Sequence, residues 1–422
     1  MPDHEVVVVG GGLAGLETAR LLARSDVDVT LFEREEAVGG RVRTEQAGDY
    51  LLDRGFQVLF TAYPEARRAL DLDSLDLRRF PPGAVICREN HRSVFADPIR
   101  DPRRGIETML SRDVTFKDGL RVLSLRRELK HRDRNEIFSG PDTSIEEYLE
   151  DEGFSERFVE NFARPFYGGI TLDRSLSTSK RVFEYTFTML LQGYAALPSR
   201  GMGAISRQLA TGARNAGAAI ETGVSVKAVT GTGPVTVETT SESHSASTVV
   251  VATDPPTSRE LTGIDSIPQT GHSSVTQYLS LPSDNPIEDR SRIHLNAGSH
   301  IPTTVAVLTS VAPEYGPEDR VLLSASTPGP VEMDDEDLFR ETKAILGSWY
   351  PEASFDDVEL LQTVRVPFAQ FEQPPGIHDR LPDVTEPDGE VYLAGESTTD
   401  SSINGSLLSA RTAADAVLSG RE

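Results

Sequence analysis

The chain begins with a pattern that is typical of a buried strand, a helix and a second strand. Residues 5–9 read Glu-Val-Val-Val-Val, an apolar and β-branched run that suits a strand covered on both faces of a parallel sheet. Apolar residues then recur at helical spacing over 16–23, and a second apolar run over 27–32 ends at Glu33. The pattern predicts a β-α-β unit in this part of the chain.

Two later parts of the chain repeat this kind of pattern. In the middle, an amphipathic helix over 203–213 is followed by strands over 219–226 and 248–253. Near the end, a short strand runs into Gly395-Glu396, and a helix over 406–414 follows a polar loop. These elements are of the type that completes an open parallel sheet.

The intervening segments predict a mixture of helices and strands. Short amphipathic helices are expected over 64–71, 145–152 and 154–162, an aromatic and glycine turn over 165–170, strands over 275–281, 304–311 and 321–326, and a longer helix over 334–350. The longer helix has acidic residues in its first turn, where they face the positive end of the helix dipole.

The composition limits the classes of function. At 422 residues the chain is long enough for two or three domains. It carries 42 basic and 66 acidic residues, a formal net charge of −24, which argues against a nucleic-acid binder because phosphate contacts need a basic face. Only five of the basic residues are lysines. The acidic, lysine-poor composition leads to the hypothesis of a halophilic source, and the alternative is an ordinary acidic cytosolic protein.

Cysteine use and the first residues indicate a cytoplasmic protein. The single cysteine, Cys87, excludes an internal disulfide and a Cys-x-x-Cys redox pair. Residues 1–4 lead directly into the first strand without the basic and apolar regions of a signal peptide, and no apolar run approaches the ~20 residues of a membrane span. The eight histidines show no metal-ligand spacing, so no metal site is expected.

The first turn carries a dinucleotide-binding pattern, G-x-G-x-x-G, at Gly10, Gly12 and Gly15. Gly10 permits the tight turn out of the strand, Gly12 lets the backbone approach a pyrophosphate, and Gly15 allows the helix to pack closely on the strand. Glu33, at the end of the second strand, is placed to accept hydrogen bonds from the adenosine ribose hydroxyls. The alternative is a glycine-rich turn in an unrelated α/β protein.

A second glycine turn, Gly39-Gly40-Arg41, follows the second strand. With this extension the chain resembles the flavin-containing amine oxidase superfamily, which includes carotenoid (phytoene) desaturases and protoporphyrinogen oxidases. The resemblance implies FAD as the cofactor, with Arg41 at its pyrophosphate, a task that suits a bidentate guanidinium. It also implies that the segment 53–56, which ends at Phe56, lies near the flavin ring. The alternative for Arg41 is a surface arginine on a turn.

The same resemblance assigns the carboxy-terminal motif to the other half of the flavin site. It implies that Glu396, after Gly395, hydrogen-bonds the ribityl chain, and that the helix start at Ile403, Asn404 and Gly405 faces the flavin N1–C2=O edge. The physical chemistry agrees, because hydride transfer leaves negative charge at that edge and a helix N-terminus stabilises it.

The fold class implied by these motifs is α/β, with a Rossmann-like FAD-binding domain assembled from discontinuous segments and a mixed α+β substrate domain. We expect residues 1–60, 198–264 and 381–422 to form the FAD-binding domain, and residues 61–197 and 265–380 to form the substrate-binding domain. By resemblance, the backbone of Val226 contacts the adenine ring.

The superfamily implies a two-electron oxidation in which flavin N5 takes a hydride, so no catalytic residue is assigned in this chain. Amine oxidases of the superfamily have an aromatic residue where this chain has Ser406. Some relatives attach the flavin through a cysteine, but Cys87 lies far from this loop, so we expect non-covalent FAD. These departures favour C–C dehydrogenation of a small apolar molecule. The alternatives are an amine oxidase acting on a C–N bond, a nicotinamide-dependent dehydrogenase, and a non-catalytic FAD- or lipid-binding module. The electron acceptor stays open.

The candidates for the substrate pocket are Phe56, Phe166, Tyr167 and Ser406. For the aromatic residues within 165–170 the alternative is a corner that packs in the core, since aromatic side chains dominate cores generally.

One segment, 117–134, departs from the overall acidity. It contains seven basic and three acidic residues, a charge of +4, together with leucines that give it an apolar side. A basic amphipathic helix of this kind can lie on an anionic membrane, which predicts peripheral membrane contact. The alternative is a solvated helix that pairs with acidic neighbours.

The halophile hypothesis predicts that salt stabilises the fold. At 1 M salt the Debye length falls to about 3 Å, so the self-repulsion of an acidic surface is screened. The urea midpoint of unfolding should therefore rise steeply between ~0.1 M and ~3 M KCl, at fixed pH. An unchanged midpoint over this range would contradict the hypothesis.

Overall fold

The computed structural model describes residues 2–97, 99–105, 113–299 and 301–421. Within these residues the strands form four sheets. The strands are β1 (His4–Val9), β2 (Val29–Glu33), β3 (Thr44–Ala47), β4 (Tyr50–Asp53), β5 (Leu59–Phe60), β6 (Leu77–Arg79), β7 (Ala84–Arg88), β8 (His91–Phe95), β9 (Ala195–Pro198), β10 (Ala219–Thr222), β11 (Val226–Thr230), β12 (Val235–Thr239), β13 (Ser243–Val251), β14 (Gly271–Pro282), β15 (Ile293–Asn296), β16 (Thr304–Val307), β17 (Arg320–Pro328), β18 (Glu359–Phe371) and β19 (Val391–Leu393).

Helices connect and cover these strands. Those described in full are α1 (Leu13–Ala23), α2 (Pro64–Ala69), α3 (Phe116–Leu129), α4 (Arg134–Ser139), α5 (Ile145–Asp151), α6 (Glu156–Phe158), α7 (Arg164–Thr171), α8 (Lys180–Gln192), α9 (Gly203–Ala216), α10 (Pro255–Thr262), α11 (Asp335–Trp349) and α12 (Ile403–Ser419). A π-helical turn, Val159–Ala163, joins α6 to α7.

The parallel sheet is assembled from distant parts of the chain. Its strands run in the order β10-β2-β1-β13, β13 also pairs in parallel with β19, and the antiparallel hairpin of β11 and β12 extends the sheet. Val6 and Val8 are buried against α1, α9 and α12, whereas Val7 and Val9 belong to a second core with Leu261 of α10. Burial on both faces explains why β1 is a continuous apolar run.

The second sheet is mixed, with the order β18-β14-β17-β16-β15-β7-β8, and its one parallel pair among the described strands is β15 with β7. The strands expected over 275–281 and 321–326 lie within β14 and β17. The strand expected over 304–311 ends at Val307 and continues as a 3-10 turn. Helix α11 covers this sheet, so that Trp349 and Cys87 of β7 share its core. The predicted α/β fold, with a mixed α+β second part, is confirmed.

The prediction of a turn over 165–170 was wrong, because these residues form helix α7. Proline inside a helix removes one backbone hydrogen bond, and the π-helical turn just before Pro165 already departs from the regular bonding pattern. The glycines serve packing instead of a turn. A Cβ on Gly168 would lie 2.9 Å from the Cα of Arg174, and one on Gly169 would lie 3.0 Å from Cγ2 of Thr304.

The buried carboxylate of Asp53, at the end of β4, links this strand to β3, to the start of α9 and to the 3-10 turn that contains Tyr315. Its Oδ1 accepts hydrogen bonds from the Thr44 hydroxyl at 2.5 Å and the Met202 N–H at 2.9 Å, and its Oδ2 accepts one from the Tyr315 hydroxyl at 2.9 Å. The Tyr278 hydroxyl donates to the backbone carbonyl of the same residue at 2.8 Å. Despite these donors, burial raises the pKa of the Asp53 carboxyl to about 6.

Within the part of the chain that the structure describes, no helix combines the length and the hydrophobicity needed to cross a bilayer.

The Asp53 carboxyl predicts a pH dependence of stability. Its folded-state pKa of about 6 lies above the ordinary value of 3.8, so folding favours the protonated form. The contribution to the free energy of unfolding is therefore fully present below about pH 4 and is lost as the pH rises through about 6. The difference in this free energy between the wild type and Asp53→Asn should change by about 2 to 3 kcal/mol from about pH 4 to about pH 7 in urea unfolding. A constant difference would show that the carboxyl is ionised throughout.

Candidate functional site

The first glycine turn brings the start of α1 against the ends of β1 and β13. Gly10 has a φ of +104°, and a Cβ there would lie 2.8 Å from the carbonyl oxygen of Ala252. A Cβ on Gly15 would lie 1.9 Å from the carbonyl oxygen of Gly10, so the close helix packing requires glycine. A Cβ on Gly12 would meet nothing within 4 Å, and no side chain caps α1. The first-turn N–H groups of α1 can therefore receive a phosphate.

Glu33, at the end of β2, is buried and fixed by two backbone N–H groups. Its Oε2 accepts a hydrogen bond from Gly11 at 2.6 Å, and its Oε1 accepts one from Glu35 at 2.9 Å. Each carboxylate oxygen has a further lone pair, so the group can still accept hydrogen bonds from ribose hydroxyls.

The second glycine turn lies directly on the first. Gly39 and Gly40 have φ values of +119° and +56°, and the Gly39 N–H donates to the carbonyl of Gly11 at 2.7 Å. A Cβ on Gly40 would lie 3.5 Å from the Cα of Gly12. The two turns thus form one surface made of backbone.

Arg41 connects the amino-terminal motif to the carboxy-terminal motif. Its Nη1 donates to the carbonyl of Ala369 at 2.7 Å and lies 2.7 Å from Oε1 of Glu396. Glu396 is buried, and its Oε2 accepts a hydrogen bond from the Ser401 hydroxyl. The approach of Arg41 is not directed as a hydrogen bond, so Oε1 has no hydrogen-bond donor among the described residues.

The start of α12 is capped by Ser402, whose hydroxyl accepts a hydrogen bond from the Gly405 N–H at 2.8 Å. The side chain of Asn404 is fully buried, and its Oδ1 accepts a hydrogen bond from the backbone N–H of Glu65 at 3.0 Å. Asn404 therefore ties α12 to α2, and its side chain does not reach the cavity described next.

A cavity of about 1000 Å³ runs from these motifs into the second part of the molecule. Most of the sequence-predicted site residues line it: Gly10, Gly12, Glu33, Gly39, Gly40, Arg41, Phe56, Phe166, Tyr167, Val226, Gly395, Glu396, Ile403 and Ser406. Gly15, Asn404 and Gly405 do not line it and act through packing and capping. Within 53–56, Asp53 faces the interior, whereas the other three residues line the cavity.

The far end of the cavity is strongly aromatic. The residues that line this aromatic arm include Phe80, Phe95, Phe138, Phe154, Phe158, Phe162, Phe166, Tyr167, Phe183 and Phe187. The rings of Phe162 and Phe166 stack with centroids 5.1 Å apart. The arm offers a largely apolar surface to a ligand.

Two tyrosines in the cavity wall carry no short sequence signal. Tyr63, just before α2, stacks on Tyr185 of α8 with ring centroids 6.2 Å apart and an interplanar angle of 18°. The Tyr185 hydroxyl is buried without a hydrogen-bond partner among the described residues. Burial raises the pKa of Tyr185, so this hydroxyl stays protonated and can donate to a ligand.

The residues at the near end of the cavity fit FAD. The uncapped N-terminus of α1 and the open side of Gly12 suit a pyrophosphate, and Arg41 lies beside them. Oε1 of Glu396, which has the ion-pair contact with Arg41 but no directed hydrogen bond from the described residues, suits a ribityl hydroxyl donor. Val226, at the start of β11, lines the same cavity and suits the adenine end.

A comparison with protein families matches residues 13–418 to the family described as flavin containing amine oxidoreductase. Two curated relatives match parts of the chain. Carotenoid phi-ring synthase of Streptomyces griseus is 37% identical over 126 residues, which are 28% of this chain and 24% of the relative. Protoporphyrinogen oxidase 2 of Arabidopsis thaliana is 26% identical over 164 residues, which are 39% of this chain and 32% of the relative. The chain thus matches about a third or less of these relatives' length.

Solved structures share the fold over nearly the whole chain. Putrescine oxidase with bound putrescine matches with a TM-score of 0.73 and 18% identity, covering 98% of this chain and 99% of that protein.

The cofactor site predicts that Gly12→Val abolishes FAD binding without disturbing the fold. Gly12 has an ordinary φ of −73° and open space beside it, so valine fits the protein but occupies the approach of the pyrophosphate. The purified variant should lack the flavin absorbance near ~450 nm and keep the far-ultraviolet circular dichroism of the wild type. Gly347→Val in α11, where a Cβ also meets nothing, is the matched control and should remain yellow. A Gly12→Val protein with full FAD content would show that the glycine motif does not hold the pyrophosphate.

Proposed function

Because the chain belongs to the flavin-containing amine oxidoreductase family, we propose that it removes a hydride from a small apolar substrate, with non-covalent FAD as the acceptor. The proposed reaction is dehydrogenation of a C–C bond. The observation that carries this proposal is the aromatic arm, which continues directly from the part of the cavity that fits FAD.

Two carboxylates beside the aromatic arm are already neutralised by arginines. Asp97 forms an ion pair with Arg126 at 2.7 Å, and Asp400 forms one with Arg134 at 2.5 Å. Arg134 also lies over the ring of Phe138, 4.4 Å from its centroid. The ammonium group of a bound amine would have to displace an arginine in order to pair with Asp97 or Asp400. If it stayed unpaired, its burial would cost several kcal/mol. A neutral, apolar substrate avoids this cost.

The residues of this chain bind, orient and exclude water. The backbone of the two glycine turns and the N-terminus of α1 hold the phosphates, Glu33 holds the ribose, and Glu396 accepts a hydrogen bond from the ribityl chain. The positive end of α12 stabilises negative charge that develops next to it. When bound, FAD supplies the hydride acceptor. The aromatic arm keeps water from the reacting C–H bond.

The second candidate is oxidation of an amine at a C–N bond, and the stacked pair of Tyr63 and Tyr185 favours it. Aromatic faces attract a nitrogen that carries partial positive charge. However, a centroid distance of 6.2 Å is less than the ~7 Å that two van der Waals contacts of about 3.5 Å require for an atom between the rings. The relatives named as a carotenoid ring synthase and a protoporphyrinogen oxidase support the first candidate, and the putrescine oxidase structure supports the second.

The proposal predicts which donors reduce the flavin. Under anaerobic conditions, detergent-dispersed carotenoid precursors should bleach the ~450 nm band of the holoenzyme, whereas primary amines should not. The control is a mixture of free FAD with the Gly12→Val protein and the same donors. It measures reduction of flavin that is not bound to the protein. Bleaching by amines alone would establish the second candidate in place of the first. Bleaching by none of the donors would favour a non-catalytic binding module.

A further inference from the structure

Exposed apolar side chains are concentrated on helix α3. Among the described residues, the large apolar side chains classed as exposed are Ile99 at 58%, Phe116 at 56%, Leu120 at 52% and Leu123 at 39%. The last three occupy positions i, i+4 and i+7 of α3, so they lie on one face of the helix. We call this face the outer stripe.

The outer stripe is not the result of a loosely attached helix. The opposite side of α3 buries Leu125 and Leu129 in a core of the molecule. A capping box between Thr115 and Asp118 starts the helix, and the buried Asp118 carboxylate also accepts hydrogen bonds from the N–H and the hydroxyl of Ser155. The fold thus holds α3 firmly while three large apolar side chains face outward.

Some basic residues of the segment 117–134 are engaged within the protein. Arg126 pairs with Asp97, and Arg134 pairs with Asp400. Arg132 lies within ion-pair distance of two glutamates. These three arginines follow the alternative expected from the sequence, in which basic residues pair with acidic neighbours.

The other basic residues of the segment do not pair in this way. They are exposed and make no ion pair with any residue that the structure describes: Lys117, Arg121, Arg127 and Lys130. On a helical projection Arg127 lies within the outer stripe and Lys117 and Lys130 flank it, whereas Arg121 lies nearer the side of the buried Leu125. Lys117, Arg127 and Lys130 beside an apolar line form a local surface opposite in sign to the −24 charge of the whole chain.

The outer stripe meets the cavity. Gly119, Val122, Leu123 and Leu125 of α3 line the aromatic arm, and Leu123 belongs both to the cavity wall and to the outer stripe. An apolar molecule next to the outer stripe is therefore separated from the arm by a single layer of side chains.

We propose that α3 docks on the surface of an anionic lipid bilayer and that an apolar substrate enters the aromatic arm past Leu123. Phe116, Leu120 and Leu123 enter the boundary between headgroups and acyl chains, and the cations of Lys117, Arg127 and Lys130 contact lipid phosphates. The docking surface stands independently of the reaction, whereas the entry route rests on the proposed function.

The area of the outer stripe favours a bilayer over a second protein. A stable protein interface buries about 800 Å² on each partner, far more than three partly exposed side chains supply. Insertion of an amphipathic helix into a bilayer surface needs only such a narrow apolar line with cations beside it.

Vesicle co-sedimentation of the holoenzyme tests the docking surface. The vesicles contain 30% phosphatidylglycerol and 70% phosphatidylcholine, with pure phosphatidylcholine as the neutral comparison. We expect the wild type to bind the anionic vesicles, and we expect Phe116→Ser/Leu120→Ser and Lys117→Glu/Arg127→Glu each to lower the partition coefficient by about tenfold or more. The matched control is Arg24→Glu/Arg214→Glu, which makes the same charge change at two exposed arginines of α9 and the α1 end, and it should bind like the wild type.

A second measurement follows the depth of insertion. Trp349, the single tryptophan of the chain, is buried, so Leu120→Trp adds one exposed reporter. Its emission should shift to the blue and be quenched by brominated lipid when anionic vesicles are added.

The results separate docking from chemistry. Absence of wild-type binding at both ~0.1 M and ~1 M KCl, or equal binding by all variants, would overturn the proposal. Dimers in size-exclusion chromatography that the stripe substitutions dissociate, without any effect on vesicles, would also overturn it in favour of a second copy. FAD content and flavin reduction by a detergent-dispersed donor should match the wild type in the stripe and charge variants. Failure of the proposed reaction would therefore leave the vesicle result intact.

Discussion

Strand β13 pairs in parallel with β1 on one side and with β19 on the other, and the cofactor site depends on this double pairing. Both partners are buried strands whose backbone N–H and C=O groups need partners once water is excluded. Residues 4–9, 246–251 and 391–393 must therefore assemble together. The long segments of chain between these strands form the second sheet and the helices that surround the aromatic arm.

The double pairing explains how two distant motifs form one surface. The N–H of Ala252 bonds to the carbonyl of Val9, and the N–H of Ala394 bonds to the carbonyl of Val251, so adjacent strands end at the same edge. Gly10 and Gly395 follow those ends. Parallel strands place ligand-binding loops at their carboxyl edge, and here that edge receives the glycine turns and the start of α12 together.

The glycine motifs could be predicted from the sequence because each acts through backbone geometry over a few residues, as at Gly10. The helix start at Ile403, Asn404 and Gly405 also follows from the local sequence, whereas the hydrogen bond from Glu65 to the Asn404 side chain depends on tertiary packing. The pair of Tyr63 and Tyr185 could not be predicted, since only the tertiary fold brings positions so far apart into contact. The helix around Pro165 was missed for a different reason. A π-helical turn directly before it lets the helix tolerate the proline, and such a turn has no clear sequence signal.

The burial of Cys87 in β7 bears on how the protein would withstand its own by-products. Burial raises the pKa of this thiol, and the core of the second sheet surrounds it. Oxidation proceeds through the thiolate, so a protonated and enclosed sulfur reacts slowly with peroxide. If dioxygen accepts the electrons from the flavin, each turnover releases hydrogen peroxide inside the molecule's own cavity. The single sulfhydryl of the chain is then protected from oxidation by both its protonation state and its burial. Resistance of this thiol to peroxide is a property separate from the thermodynamic stability of the fold.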